Sequence, residues 1–166
     1  MKAKSIIGWF IIIAAGLYFF LYLPWRAAEE KKQRAELHLL NTLDGQIHAH
    51  LDAGGALPTN WPGVSNAVNW ELIVKICEHN GLRPATELYT VLPRPVRMDI
   101  PQLTVFLVRT ESRRWPARER GRWVMGRGSR PLEYRHSPSD TNHVDRHWIP
   151  EQYLPPEILS QLPRRD

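Results

Sequence analysis

Between Ser5 and Leu23 the chain passes through apolar residues without one charged side chain, with IIGWFIIIAAGLYFFLYL at its heart. About 20 apolar residues at 1.5 Å of rise each cross a hydrocarbon core of roughly 30 Å, so the run predicts a transmembrane helix over a soluble core helix. Trp9, Tyr18, Tyr22 and Trp25 add rings suited to the headgroup boundary, and Pro24 and Arg26 close the segment there. A secretory signal peptide uses a shorter apolar region of roughly 7–15 residues, followed by small residues at the cleavage site. Here Trp25 and Arg26 precede Ala27 and Ala28, which favours an uncleaved anchor.

After the anchor the apolar positions take a helical period. Leu37, Leu40, Leu43, Ile47 and Leu51 recur at three- and four-residue steps, which lines them along one face. Glu29, Glu30, Lys31, Lys32 and Arg34 make the first turns polar, as in a solvated stalk. Gly54 and Gly55 supply a stop, and LPTNWP reads as a turn-rich loop. A second helix starts after Asn69, whose side chain can cap the first free amides, and runs through WELIVKICEHN to Gly81 with Leu72, Ile73, Ile76 and Cys77 on its apolar face.

Downstream the pattern changes again. ELYTVL, LTVFLVRT, GRWVMG and PLEYRH are short, rich in β-branched and aromatic residues, and bounded by Pro and Gly, which predicts an antiparallel sheet. Pro131 and Pro150 then belong at strand starts, edges or loops, because proline donates nothing to a ladder. PPEILSQLP is a short helical turn. The fold class is therefore α+β: an N-terminal transmembrane helix continuing into an amphipathic helix, followed by a small antiparallel β-sheet domain with a second helix. The divisions are a transmembrane anchor over 1–25, an amphipathic stalk and packing helix over 26–55, and a small α+β globular domain over 56–166.

This order, a basic N-terminus at Lys2 and Lys4, an apolar helix running into an amphipathic one, a Gly/Pro loop and a compact mixed domain, resembles the type IV pilin and type II secretion pseudopilin class. The closest local match is LLNTLDGQIHAHLDAGGALPTNWPG, where Gly54 to Pro58 has the family's form of a helix-ending glycine followed shortly by an apolar residue and a proline. Gly8 and Trp9 have the form of the family's cleavage junction. The fifth residue after Gly8 is Ile13 where that family carries glutamate, so pairing with a neighbour's N-terminal amine is unavailable. The resemblance implies a pilin-like, unprocessed membrane protein with a non-enzymatic interaction or structural role in a secretion or pilus-type assembly. It implies the lipid bilayer, other membrane-anchored helices and secretion or pilus components as partners.

Orientation draws opposite answers from two arguments. Lys and Arg count on the cytoplasmic side, and Arg26, Lys31, Lys32 and Arg34 outnumber Lys2 and Lys4, which places the C-terminal region in the cytoplasm. The resemblance implies an extracytoplasmic C-terminal domain.

The chain has 166 residues and a formal net charge of +5, and a pI near 9.7, which permits an anionic partner without requiring one. Cys77 is its one cysteine, so no intrachain disulfide forms, and it reads as a small buried apolar residue. Arg109, Arg113, Arg114, Arg118, Arg120, Arg122, Arg127, Arg130 and Arg135 are interleaved with Trp115, Trp123 and Tyr134, a mix able to grip phosphates and stack bases. The same mix describes solvated strand faces paired with Glu111, Glu119 and Glu133, and no recognised binding motif accompanies it, which disfavours nucleic acid as a partner.

In HSPSDTNHVDRH the residues His136, Asp140, His143, Asp145 and His147 fall within one loop-like stretch of zinc- or calcium-type ligands, His143 and His147 at helical i, i+4 spacing. No HExxH motif is present, so a polar surface loop is the plainer reading and no cofactor is expected, with a divalent metal as the alternative. The chain has no GxSxG elbow, no phosphate-binding glycine loop and no cysteine with a recognisable histidine motif, so an enzyme is not expected. The rival to a membrane-anchored interaction protein is a membrane-tethered metal-dependent or nucleic-acid-binding module.

Overall fold

The computed structural model describes residues 13, 15–99, 102–114, 120–128 and 143–163, with the backbone alone for 114 and 143–145. Residues 15–17 are helical and lead into a π-helical stretch, Tyr18–Tyr22, and then α1, Leu23–Asp52. Pro24 is the physical reason for the wide turn. It has no amide to offer Phe20, and its ring crowds that carbonyl in an α-helix. The Leu23 amide instead reaches five residues back to the Tyr18 carbonyl.

Burial in α1 begins at Ala35 and continues through Glu36, Leu39, Leu40, Leu43, Ile47 and Leu51. The expected stripe is thus present from Leu40 onward, with Leu39 added and Leu37 only half-buried. Gly54 at φ 85° and Gly81 at φ 61° occupy the left-handed region after two helix ends, where a side chain would be strained. Asn60 accepts from the Gly63 amide at 2.7 Å and caps α2, Trp61–Ala67. The LPTNWP stretch therefore holds a helix start as well as a loop. Asn69 caps α3, Trp70–His79, by accepting from the Leu72 amide at 3.1 Å, as expected. Ile73, Ile76 and Cys77 are buried, whereas Leu72 is exposed.

A short helix, α4 (Ala85–Leu88), occupies the start of the segment expected to be strand, and β1 runs from Tyr89 to Met98. Then follow β2 (Leu103–Arg109), β3 (Arg113–Arg114), β4 (Arg120–Gly128) and β5 (His143–Pro150). All pairings are antiparallel, β1 with β2, β2 and β3 with β4, and β4 with β5. Because β5 pairs along β4 from Gly121 to Gly128, β3 falls on the same edge of β4 as β2 and continues its line after a break at 110–112. Pro93 and Pro95 lie in β1 where its register against β2 shifts, on a strand that borders the sheet. Pro150 ends β5, the other bordering strand. PLEYRH and Pro131 lie outside the described residues.

Two cores flank the sheet. On one face Leu39, Leu40, Leu43, Ile47 and Leu51 pack with Ile73, Ile76, Tyr89, Val91, Phe106, Leu107 and Met125. On the other, Leu92, Val105, Val108, Val124 and Ile149 pack with Leu154, Ile158 and Leu162 of the C-terminal segment. That segment forms a 3-10 turn, Glu151–Tyr153, and α5, Pro156–Leu159. The expected helical turn is there, and it covers a sheet face. Phe106 and Leu107 serve the same core because the β2–β4 register shifts between Val105 and Leu107, placing two consecutive side chains on one side.

Candidate functional site

Two features meet where the long helix leaves the domain. The first is apolar and uncovered. Ile13, Leu17, Tyr18, Phe19, Phe20, Leu21, Tyr22 and Trp25 are exposed, with Phe20 at 81% and Phe19, Leu21 and Trp25 each above 60%. Consecutive positions from Leu17 to Tyr22 point around the whole circumference of a helix, so no single face is being offered to a core. Tyr18 stacks on Tyr22 at 5.2 Å between ring centroids, and Tyr22 approaches Trp25 at 6.1 Å, forming an aromatic column that ends at the Arg26–Glu30 ion pair of 3.0 Å. Among the described residues no helix is long and apolar enough to cross a membrane. Residues 5–12 and Ala14 of the apolar run lie outside them.

The second feature is a buried ionic cluster that ties α1 to the sheet. Glu36 accepts from Arg109 Nε at 2.5 Å, from Arg113 Nη1 at 3.1 Å and from the Tyr89 hydroxyl at 3.2 Å. The Glu36 and Arg109 side chains are 5% and 6% exposed. Arg113 also pairs with Glu29, so one guanidinium of β3 holds two carboxylates about two turns apart on α1. Burial, and next the Glu36 charge, push the Tyr89 hydroxyl well above its usual pKa. Burial lowers the Arg113 pKa from its ordinary high value.

A second ring of contacts fixes the break between β2 and β3. Arg109 Nη1 donates to the Glu111 carbonyl at 2.6 Å, and Arg122 Nη1 donates to the Arg109 carbonyl at 3.1 Å and also to that of Thr110. Arg122 pairs with Glu151 at 2.8 Å. Arg83 bonds Glu111 at 3.1 Å, and that hydrogen bond raises the Arg83 pKa. With three donors around its carboxylate, Glu36 is placed to cross-link helix and sheet rather than to take a proton from a substrate.

The arginine-rich stretch thus divides. Arg109, Arg113 and Arg122 turn inward to Glu29, Glu36, Glu151 and backbone carbonyls, so these three guanidiniums do not form an outward phosphate-gripping face. Arg118, Arg130 and Arg135, with Trp115, Tyr134, Glu119 and Glu133, lie outside the described residues. Glu36 lies between Ala35 and Leu37, just after the strongly charged first turns. Its one legible signal was a carboxylate on the same helical face as Leu40, Leu43 and Ile47.

Of the proposed metal ligands, His136 and Asp140 lie outside the described residues. His143, Asp145 and His147 are strand residues of β5, not a loop, paired with Gly128, Gly126 and Val124. The helical spacing of His143 and His147 is therefore not realised, because four residues of strand cover about 13 Å where a helix covers about 6 Å. Among the described residues no group of three or more His, Cys, Asp or Glu is placed to hold a metal ion. Cys77 is buried, and burial raises its thiol pKa, which keeps it in the unreactive protonated form.

Comparison with protein-family models, curated proteins and solved structures finds no match to this chain.

Proposed function

We propose that this chain is a single-pass membrane protein whose apolar N-terminal helix anchors a small α+β domain with a non-enzymatic interaction or structural role, on the pilin and pseudopilin plan. The carrying observation is the exposure of apolar side chains around the full circumference of the helix from Leu17 to Tyr22, with Ile13 and Trp25 exposed on either side, continuous with a half that is packed in a core. In water such a surface is unfavourable by roughly 25 cal/mol for each Å² left exposed, and a hydrocarbon surrounding removes that penalty. The charge-free run Ile6–Leu23 supplies the length a span requires, and Tyr22 and Trp25 mark its boundary.

The pilin-like part of the reading draws support from one long helix whose distal half lies on an antiparallel sheet. Laterally neighbouring anchored helices are the partners this plan requires. Alkaline carbonate extraction of the full chain tests the anchor: the protein stays with the membrane pellet, and a chain beginning at Ala27 does not. Release of the full chain by carbonate rejects the anchor. A reporter fused after Asp166 and active only outside the cytoplasm tests the orientation that goes with the pilin plan, and activity of a cytoplasm-only reporter there rejects it.

A further inference from the structure

The helix α3 and the segment that follows it enclose an apolar cavity. Gly81 at φ 61° turns the chain back at the end of α3, and the Leu82 amide closes the turn on the Cys77 carbonyl at 2.9 Å. Leu82, Pro84 and Ala85 therefore form one wall. Trp70, Val74 and Glu78, spaced four residues apart along α3, form the other with Ile73 and Cys77 beside them, and the space between is about 210 Å³. Ile73, Cys77 and Ala85 are buried in the core, whereas Val74 is 37% exposed, so the inner lining is dry and the cavity opens at the surface. Glu78 is the charged side chain among the described lining residues. Glu71 on the same helix is held by Lys75 at 2.6 Å, but the Glu78 carboxylate pairs with no cation among the described residues. Burial, and after it the Glu78 charge, raise the pKa of the Cys77 thiol, so the carboxylate acts on the cavity wall.

We propose that this cavity binds a small-molecule organic ammonium, an aromatic ring carried on a short chain that ends in a cationic amine. An apolar cavity of roughly 150 Å³ accommodates benzene, so about 210 Å³ holds a single ring and the first carbons of its side chain. Glu78 selects the charge: an apolar guest with an amine gives the unpaired carboxylate its partner, and a neutral or anionic guest does not. Trp70 and Glu78 stand about 12 Å apart along the helix axis, room for a ring seated toward the indole with its ammonium at the carboxylate. Trp70 is steadied edge-on by Trp61, with ring centroids 5.8 Å apart, and gives the guest ring an aromatic neighbour. The Cys77 sulfur, between the two ends, adds a polarisable wall suited to a ring edge.

The test is calorimetric titration of phenethylammonium, and separately of the uncharged phenethyl alcohol, into the full chain in nanodiscs of neutral lipid, with protein-free nanodiscs as the blank. Saturable binding of phenethylammonium is expected, weakened about three- to five-fold in Glu78→Gln and abolished in Val74→Trp, whose added ring fills the cavity. Phenethyl alcohol binds the wild-type chain more weakly by a similar factor and is indifferent to Glu78→Gln. Glu71→Gln, on the same helix but outside the cavity, leaves binding unchanged. Absence of saturable binding by phenethylammonium overturns the proposal, as does equal weakening by Glu71→Gln or equal affinity for amine and alcohol. Binding of an acetylated phenylalanyl-lysine amide without binding of the free amine assigns the cavity to a partner chain's side chains and overturns the small-molecule source. Glu78 is exposed, so its glutamine variant keeps the fold. Should Val74→Trp fail to fold, Glu78→Gln and the alcohol decide the matter on the same readout.

Discussion

One helix carries two apolar stretches that meet opposite surroundings. From Leu39 to Leu51 the apolar residues keep to one face and are buried against the sheet, with polar residues on the other side. From Leu17 to Tyr22 they cover every side and stay exposed, as do Ile13 and Trp25. The residue types are similar, so hydrophobicity alone does not distinguish the two. Periodicity does: a stripe has one partner surface, while an all-round apolar helix needs an apolar surrounding. Between them, Glu29 and Glu36 meet Arg113, so the polar turns are not a free stalk but a bracket holding the helix to the sheet.

The bracket gives the largest expected effect. Removing Glu36 leaves Arg109, with its side chain 6% exposed, without its carboxylate, and loss of one partner of a buried pair costs about 3–5 kcal/mol. Glu36→Ala should therefore lower the midpoint of chemical unfolding severely, whereas Glu30→Ala, in an exposed pair, should barely move it. Equal effects would dissolve the distinction between bracket and surface.

Leu43→Ala comes next, at about 2–5 kcal/mol, because Leu43 is fully buried. Leu37→Ala should cost clearly less, since Leu37 is half-buried. Thermal melts of both variants sharpen the boundary at which the helix enters the core.

For the other half, Ile13→Asp places a charge near the middle of the apolar run, a penalty of about 2.5–3.5 kcal/mol for insertion. The variant should shift toward the carbonate-soluble fraction with the domain's melting temperature unchanged. A lowered melting temperature with full membrane retention would mean that the exposed half packs on protein.

Tyr89→Phe is the smallest, at about 1.5–3 kcal/mol near neutral pH for one hydrogen bond to a carboxylate. Its signature is in alkali. The folded hydroxyl pKa is raised, so the unfolded chain loses this proton first, near pH 10, and stability present below that pH falls as pH climbs toward the folded value. A phenyl ring at this position has no proton to lose, and the part of the alkaline loss due to this site should vanish from the variant's pH–stability profile.

Much of the architecture was readable from local chemistry. Asn69 and Gly81 bound α3 as their side-chain and backbone chemistry requires, and LTVFLVRT and GRWVMG are strands β2 and β4. Leu40, Leu43, Ile47 and Leu51 face the core as their spacing demands. Errors arose where one local signal had two outcomes. Asn60 reads as a turn residue and as a helix cap, Leu72 sits one position off the buried face, and His143 and His147, spaced as on a helix, belong to a strand.

Sequence by itself determined the alternation of periods, from unbroken apolar to 3.6 to 2, because each element's burial pattern follows its own repeat. Only tertiary structure decided which arginines are surface and which are internal. Arg109, Arg113 and Arg122 look no different along the chain from Arg97 and Arg127, yet the first three meet Glu36, Glu29 and Glu151 across gaps of up to 84 residues (113 minus 29). The other two are exposed and flank Thr104 across three strands. A guanidinium's environment is set by which strand its residue pairs with and which helix crosses that strand, and no local pattern carries that information.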